Sequence, residues 1–397
     1  MEQLFEIQQR LLNFTSLDFV RSIARKIDWN SRLVGIKGAR GTGKTTLLLQ
    51  YIKRTYAGEP EAALYASLDN LWFAEHSLYE LAVDFVRMGG KHLFLDEVHR
   101  YPGWSQEIKN IYDNFPQLRV VFTGSSLLEI INAQADLSRR AVMYHLHGLS
   151  FREFLALETG IEFETLSLDD IFHRHMEWAG RITRKIQPFR HFDQYLRYGY
   201  YPYYREQPAL YSIRLNQTIN MILEMELPQL RSLEVAYIPK IKQLLTVLAE
   251  SVPFTPDISK LSRKIDINRI TLIKYLHYLK QSDLLILMQR NTSGIGRLQK
   301  PDKIYLENTN LMWALAPQRA DKGHLRETFI VNQLQDFGIR LATWGDFVVN
   351  EKYILEVGGK NKSNKQISGL ENAFIAADDL ETGFGRKIPL WLFGFLY

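Results

Sequence analysis

Gly38-Ala-Arg-Gly-Thr-Gly-Lys-Thr45 is the stretch on which the reading of this chain turns. It meets G-x-x-x-x-G-K-[ST] at every fixed position. Leu33, Val34 and Ile36 lead into it as an apolar strand, and Thr46, Leu47, Leu48, Leu49 and Gln50 leave it as helix formers. A glycine-rich turn between strand and helix lets backbone N–H groups converge on phosphate, and the helix N-terminus adds partial positive charge. Gly38, Ala39, Arg40, Gly41, Thr42, Gly43, Lys44, Thr45 and Thr46 are therefore expected to surround the phosphates of a nucleotide. Lys44 is expected to neutralise the β- and γ-phosphates, and the Thr45 hydroxyl to ligate Mg²⁺. The spacing alone admits ATP or GTP.

Working outward, Leu93-Phe-Leu-Asp-Glu97 places two acids behind three apolar residues. A buried strand ending in Asp96 brings a carboxylate to the metal, and Glu97 would polarise the attacking water as general base. The bland alternative is a strand that ends in solvated acids. Five strand candidates alternate with helical stretches or loops: Arg32–Lys37, Ala62–Leu68, His92–Leu95, Arg119–Phe122 and Ala141–Leu146. That alternation predicts an α/β fold, with a parallel sheet covered on both faces.

With both motifs in hand and one extra strand between them, the sequence resembles an AAA+ ATPase of the additional-strand-catalytic-glutamate division. Asp96-Glu-Val-His-Arg-Tyr-Pro-Gly-Trp-Ser105, Phe122-Thr-Gly-Ser-Ser126 and Leu149-Ser-Phe-Arg-Glu-Phe154 narrow the likeness. They resemble a prokaryotic AAA+ family that carries a winged helix and a C-terminal domain similar to restriction-endonuclease-like folds. The resemblance implies a P-loop ATPase core over residues 1–155, a helical lid or linker over 156–250, a winged helix-turn-helix over 251–318 and a small α+β domain over 319–397. It favours ATP over GTP. It implies a polar γ-phosphate sensor after the fourth strand, where Thr123 and Ser125 stand. It also implies an arginine finger, Arg139 or Arg140 with Arg140 preferred, acting on a neighbouring subunit of a homo-oligomer. Ordinary turn chemistry and a solvated basic turn are the plain alternatives for those two segments. His99 reads as a packing or hydrogen-bonding residue.

The whole chain of 397 residues carries a formal charge of +5 and no cysteine, which excludes disulfides, thiolate metal sites and thiol catalysis. The acidic N-terminus is unlike a signal peptide, and no apolar run approaches the ~20 residues of a membrane span. A soluble, cytoplasmic protein without a membrane partner is the expectation. The apolar end, Ile388 to Tyr397, suits a buried strand or a docked tail.

The charge is uneven. Residues 240–303 hold twelve Lys or Arg against five Asp or Glu, a local +7. Ile258–Ile265 and Arg269–Gln281 read as two helices, with Ile270, Ile273, Leu276 and Leu279 as the apolar stripe of the second. Two strands then bracket Arg290-Asn-Thr-Ser-Gly-Ile-Gly-Arg297, which reads as a wing. Arg269, Lys274 and Arg297 are candidates for DNA contact, with protein docking as the competing use.

Near the C-terminus, Glu327 lies on a helix, Asp346 opens a strand and Glu356 ends another. The order is similar to Mg²⁺-dependent nucleases with D…E-x-K, where carboxylates hold the metal and a lysine activates water. Gly358 stands where that lysine belongs. Lys360 keeps the strand parity, and Lys362 is a further candidate. A degenerate nuclease-like domain is the expectation. The sequence thus suggests Mg²⁺-dependent ATP binding and hydrolysis used as a conformational switch or motor on DNA. An ATP-gated nuclease and a DNA- or protein-binding scaffold with slow turnover are the alternatives.

Overall fold

The computed structural model describes residues 1–397 apart from 125–136, 138, 229–233, 252, 291–299, 364 and the side chain of Arg319. The chain divides into two compact units, Met1–Gly148 and Leu149–Tyr397.

The first unit is built on five strands: β1 (Leu33–Lys37), β2 (Ala63–Ser67), β3 (His92–Asp96), β4 (Arg119–Gly124) and β5 (Val142–His145). They pair in the order β2-β3-β4-β1-β5 and all run parallel. The inner strands are continuous apolar runs because both faces are covered. Alternation sorts their side chains. Leu33, Leu93, Leu95, Val120 and Phe122 pack on one face with α3 (Leu78–Arg87) and α4 (Trp104–Asn114). Val34, Ile36, Phe94 and Val121 pack on the other with α2 (Lys44–Thr55). Ser77 and Glu80 close a reciprocal capping box that starts α3. The N-terminal helix α1 (Glu2–Phe14) is tied down by polar side chains: Gln8 Nε2 donates to the Ala63 carbonyl (3.1 Å), and Lys53 Nζ on α2 donates to those of Leu12 (2.8 Å) and Thr15 (2.7 Å). A parallel sheet brings the C-terminal ends of β1, β3 and β4 to one edge, which is where ligands of open α/β sheets bind.

The second unit opens with helices between Phe151 and Ala249, interrupted by the tyrosine-rich segment Tyr198-Gly-Tyr-Tyr-Pro-Tyr-Tyr204. Tyr200, Tyr201, Tyr204 and Tyr211 are buried there. The Asn310 amide bonds to them from within: its oxygen accepts from Tyr200 N (2.9 Å) and Tyr211 Oη (2.6 Å), and its nitrogen donates to the Tyr195 and Leu196 carbonyls (both 3.0 Å). Then come α5 (Ile258–Ile265), α6 (Arg269–Gln281) and an antiparallel pair, β6 (Leu285–Met288) with β7 (Lys303–Leu306). Phe254 adds a bridge to Ile304, so two helices are followed by a small sheet.

The stripe expected on α6 is not the one that packs. Leu272, Tyr275, Leu276 and Leu279 are buried, whereas Ile270 is 83% exposed. Residues spaced strictly by three drift about 60° per step around a helix of 3.6 residues per turn, so Ile270 and Leu279 face opposite sides.

After α7 (Lys322–Gln333), β8 (Arg340–Leu341), β9 (Phe347–Val349), β10 (Tyr353–Gly358), β11 (Ala373–Ala377) and β12 (Lys387–Pro389) form a mixed sheet in the order β12-β11-β10-β9-β8. The β8–β9–β10 pairings are antiparallel, and the β10–β11–β12 pairings parallel. The apolar end of the chain supplies both β12 and a buried 3-10 helix, Leu390–Phe395.

Candidate functional site

The glycine-rich loop lies between β1 and α2. Gly41 (φ 83°) and Gly43 (φ 94°) hold left-handed conformations that side chains rarely adopt. A Cβ on Gly38 would stand 2.3 Å from the Leu146 carbonyl oxygen, so this close approach also requires glycine. Buried Arg21 clamps the loop from behind. Its Nη1 donates to the Thr42 carbonyl (2.8 Å), and its Nη2 to those of His147 (2.8 Å) and Gly148 (2.9 Å). No side-chain hydrogen bond caps α2 and no acid stands in its first turn, which suits an anion at that terminus. Lys44, almost wholly buried, lays its ammonium on the Gly38 and Ala39 carbonyls, both at 2.9 Å.

Asp96, at the end of β3, is 1% exposed and is the centre of the site. Its Oδ2 accepts from the Thr45 hydroxyl (2.6 Å) and the Tyr65 hydroxyl (2.8 Å). Its Oδ1 accepts from the Thr123 hydroxyl and the Glu97 N–H (3.1 Å). Register explains the convergence: Ser67 of β2 lies beside Asp96, and Thr123 of β4 lies beside Ile36 of β1. Burial, and then the neighbouring Asp96 carboxylate, pushes the Tyr65 hydroxyl well above its ordinary range.

Glu97 follows with φ 52°, a left-handed conformation uncommon outside glycine and of the kind that concentrates at functional sites. Burial raises its pKa. The Lys44 ammonium opposes that rise, Asp96 adds to it, and Arg40 and Arg100 oppose it more weakly. The His99 side chain is buried and sets Nε2 3.4 Å from Glu97 Oε2.

The structure therefore gathers Lys44, Thr45, Asp96, Glu97 and Thr123 into one cluster. Ser125 lies outside the described residues. Tyr65 is a member that the motifs do not announce. Arg140 does not join. Its Nε and Nη2 grip the Asp113 carboxylate (3.1 and 3.2 Å), and its guanidinium stands 5.8 Å from the Tyr112 ring. The Tyr112 carbonyl also accepts from Arg32, which precedes β1, so this group sits at the N-terminal ends of the strands, across the sheet from the loop. Arg139 is exposed.

In the second unit, Arg269 and Lys274 are exposed on α6, and Lys274 Nζ lies 5.6 Å from the Tyr278 ring. Arg297 lies outside the described residues. The three C-terminal carboxylates converge, because Glu356 and Glu327 both act on Asp346. Burial, then that repulsion, lifts Asp346 to about 6 against the opposing Val357 N–H, which it accepts at 2.7 Å.

Each of the other two acids already holds an ammonium. Lys303 Nζ (2.6 Å) and the Tyr305 hydroxyl (2.7 Å) reach Glu327 Oε2, and Lys362 Nζ reaches Glu356 Oε1 (2.6 Å). Lys360, expected from strand parity, is not the lysine at the site. β10 ends at Gly358, and a turn closed by Lys362 N–H on the Gly359 carbonyl (2.9 Å) returns Lys362 instead. Among the described residues no group of three His, Cys, Asp or Glu is arranged to hold a metal ion. These three carboxylates, two of them paired with lysines, do not fit a preformed nuclease metal centre.

Residues 30–155 match the AAA domain family AAA_14, and residues 189–322 match a domain of unknown function, DUF8612. The first unit is thus an AAA-type P-loop domain, of a nucleotide-binding fold. An uncharacterized protein of Methanocaldococcus jannaschii, MJ1637, is 26% identical over 367 residues, which span 84% of this chain and 77% of that one. Among solved structures, the Walker-type ATPase PaBY2304 of Pyrococcus abyssi aligns at TM-score 0.42 and 12% identity, over 74% of this chain and 94% of that one. The Orc1 protein of Aeropyrum pernix in complex with DNA aligns at 0.32 and 14%, over 81% and 92%. Among the described residues no helix is long and apolar enough to cross a membrane.

Proposed function

We propose that this protein is a Mg²⁺-dependent ATPase that uses nucleotide binding and hydrolysis as a conformational switch or motor on DNA. The observation that carries the reading is the convergence of Thr45, Thr123 and Glu97 on the buried Asp96 carboxylate beside the glycine-rich loop.

The Lys44 ammonium rests on two loop carbonyls, within the loop that would cradle phosphate, and exchanges those neutral acceptors for the β- and γ-phosphate oxygens when ATP enters. Phosphate oxygens are anionic where the carbonyls are neutral, so the ammonium gains the Coulomb attraction of an opposite charge, which favours the exchange. Thr45 and Asp96 are the residues that would hold Mg²⁺, which when bound supplies charge neutralisation to the phosphates. Thr45 donates its proton to Asp96, so its oxygen lone pairs remain available to a cation. Glu97 takes a proton from the attacking water as the water oxygen bonds to the γ-phosphorus and the bond to the β–γ bridging oxygen breaks, leaving ADP and phosphate. Thr123, anchored on Asp96, senses the γ-phosphate. Arg140, across the sheet from its own loop, serves a neighbouring subunit.

DNA enters the reading through the second unit, whose α5 and α6 expose Lys260, Arg263, Lys264, Arg269, Lys274 and Lys280. The nuclease alternative is disfavoured by the ammonium groups already seated on Glu327 and Glu356.

The test is phosphate release with and without duplex DNA, with Glu97→Gln as control. DNA-stimulated hydrolysis without cleavage, and a Glu97→Gln variant that binds ATP but turns over about 10²–10⁴-fold more slowly, is the expected result. Equal turnover of the two proteins refutes the role of Glu97. DNA cleavage lost in both Asp346→Ala and Glu356→Ala restores the nuclease reading.

A further inference from the structure

An isoleucine that is 83% exposed has no packing reason to be where it is, and Ile270 stands in the first turn of α6. The buried side of α6 is Leu272, Tyr275, Leu276 and Leu279. Turning by about 100° per residue, the opposite side presents Ile270, half-buried Ile273 and exposed Lys274, flanked by exposed Arg269. Asn268 caps the helix by accepting from Thr271 N (2.8 Å), which fixes the orientation of that first turn.

The surroundings are cationic. The exposed acids of the α5–α6 pair are both engaged. Asp257 caps α5 through Lys260 N (3.0 Å), and Asp266 pairs with Lys240 (3.0 Å). An exposed apolar side chain flanked by Arg269 and Lys274 suits a polyanion that carries an apolar spot. Duplex DNA is such a partner. Its major groove, about 12 Å wide, admits a helix, and the one methyl group displayed there belongs to thymine. The N-terminal residues of a helix seated in that groove are those that reach base edges.

We propose that the exposed face of α6 reads the DNA major groove, with Ile270 packing against the 5-methyl group of a thymine and Arg269 and Lys274 on the flanking phosphates. The inference rests on the DNA-binding reading above and adds a base preference and the residue that sets it. Ile270 acts by apolar contact alone. Its contribution to affinity depends on the methyl group and not on salt, whereas that of Lys274 depends on salt and not on base.

The full-length protein tests this. A tight-binding sequence is selected from a random duplex pool and remade with deoxyuridine replacing each thymidine in turn, which deletes one methyl group at a time. Affinities are read by fluorescence anisotropy over a salt series. The expected loss is about fourfold at one thymidine or more, the factor that ~0.8 kcal/mol for a buried methylene corresponds to. Ile270→Ala should bind the thymidine duplex about as weakly as the native protein binds the deoxyuridine one, and should be indifferent to the replacement. Lys274→Ala should weaken both duplexes equally and lower the salt slope by about one. Salt-dependent binding that ignores every replacement, or an Ile270→Ala variant still sensitive to it, overturns the assignment of Ile270 while leaving DNA binding in place. Absence of salt-dependent binding to any duplex overturns both. Ile270 is exposed, so an unchanged melting temperature of Ile270→Ala checks that folding is not the cause.

Discussion

Replacing Tyr65 by Phe removes one hydroxyl from the cluster around Asp96 beside the glycine-rich loop. Asp96 is 1% exposed and its carboxylate is satisfied by four donors: the hydroxyls of Thr45, Tyr65 and Thr123 and the Glu97 N–H. The Tyr65 bond, at 2.8 Å, is made to a charged acceptor in a dry place. A hydrogen bond of that kind is worth about 1.5–3 kcal/mol, and the ring of Phe fills the same space, so no cavity term is added. One kcal/mol moves the midpoint of a domain of this size by about 2–4 °C, so Tyr65→Phe should lower the melting temperature of the first unit by roughly 3–12 °C. A divalent cation beside Asp96 compensates the same charge, so saturating Mg²⁺ with a non-hydrolysable ATP analogue should shrink the difference. Differential scanning fluorimetry with and without ligand reads both effects. Equal melting temperatures without ligand would show that Asp96 does not depend on Tyr65. A difference that persists undiminished with Mg²⁺-nucleotide would remove Asp96 from the metal's surroundings.

Three further outcomes follow from the same geometry. Burial raises the Glu97 pKa; a base works only when ionised, so the acid limb of the kcat profile should fall at a pH above the ordinary carboxylate range, and a midpoint near that of a solvated glutamate would contradict the placement. Arg140→Ala should leave ATP binding intact but abolish any rise of turnover with protein concentration, a loss of about 10³-fold or more for a finger acting in trans; if Arg139→Ala alone produces that loss, the finger is its neighbour. Asp346 has its carboxyl raised to about 6, so its neutral form favours folding: that stabilisation is complete below the unfolded value near 4 and is lost as pH rises through about 6. Asp346→Asn should therefore stabilise the second unit by up to ~3 kcal/mol at pH 7–8, with the gain vanishing near pH 4; a gain independent of pH in urea titrations would refute the cause.

What was legible in the sequence was chemistry that neighbours in the chain carry out together. The glycine-rich loop, the apolar run into Asp96 and the five strands needed only local spacing and alternation, and the structure brings Lys44, Thr45, Asp96 and Glu97 together, with Thr123, which the family resemblance and not the spacing pointed to, bonded to Asp96. Tyr65 was not legible. It meets Asp96 because β2 and β3 lie side by side in parallel register, a pairing made after a long crossover. The Arg140–Asp113 pair was hidden for the same reason, since α4 and the segment before β5 meet only through the folded sheet. The exposure of Ile270 was readable in principle. A stripe counted at intervals of three looks helical over two steps and has turned to the far side after three.

Gly358 shows how a motif can fail in sequence while its parts remain together in space. Where D…E-x-K would place a lysine there is no side chain, and that vacancy is filled from elsewhere: a Cβ on Gly358 would stand 2.7 Å from Lys362 Cγ. The glycine is what allows Lys362 to fold back over the strand and reach Glu356, which is itself fully buried. A carboxylate so deep requires a cation, and Lys362 supplies one from within the chain, as Lys303 does for Glu327. Two ammonium groups among three carboxylates leave one acid uncompensated, and Asp346 is the one whose pKa rises. The charge that a divalent cation would bring is thus already present in lysine side chains. On this account the three carboxylates and their lysines tie β7, α7 and β10 together, and the proposed hydrolysis falls to the first unit.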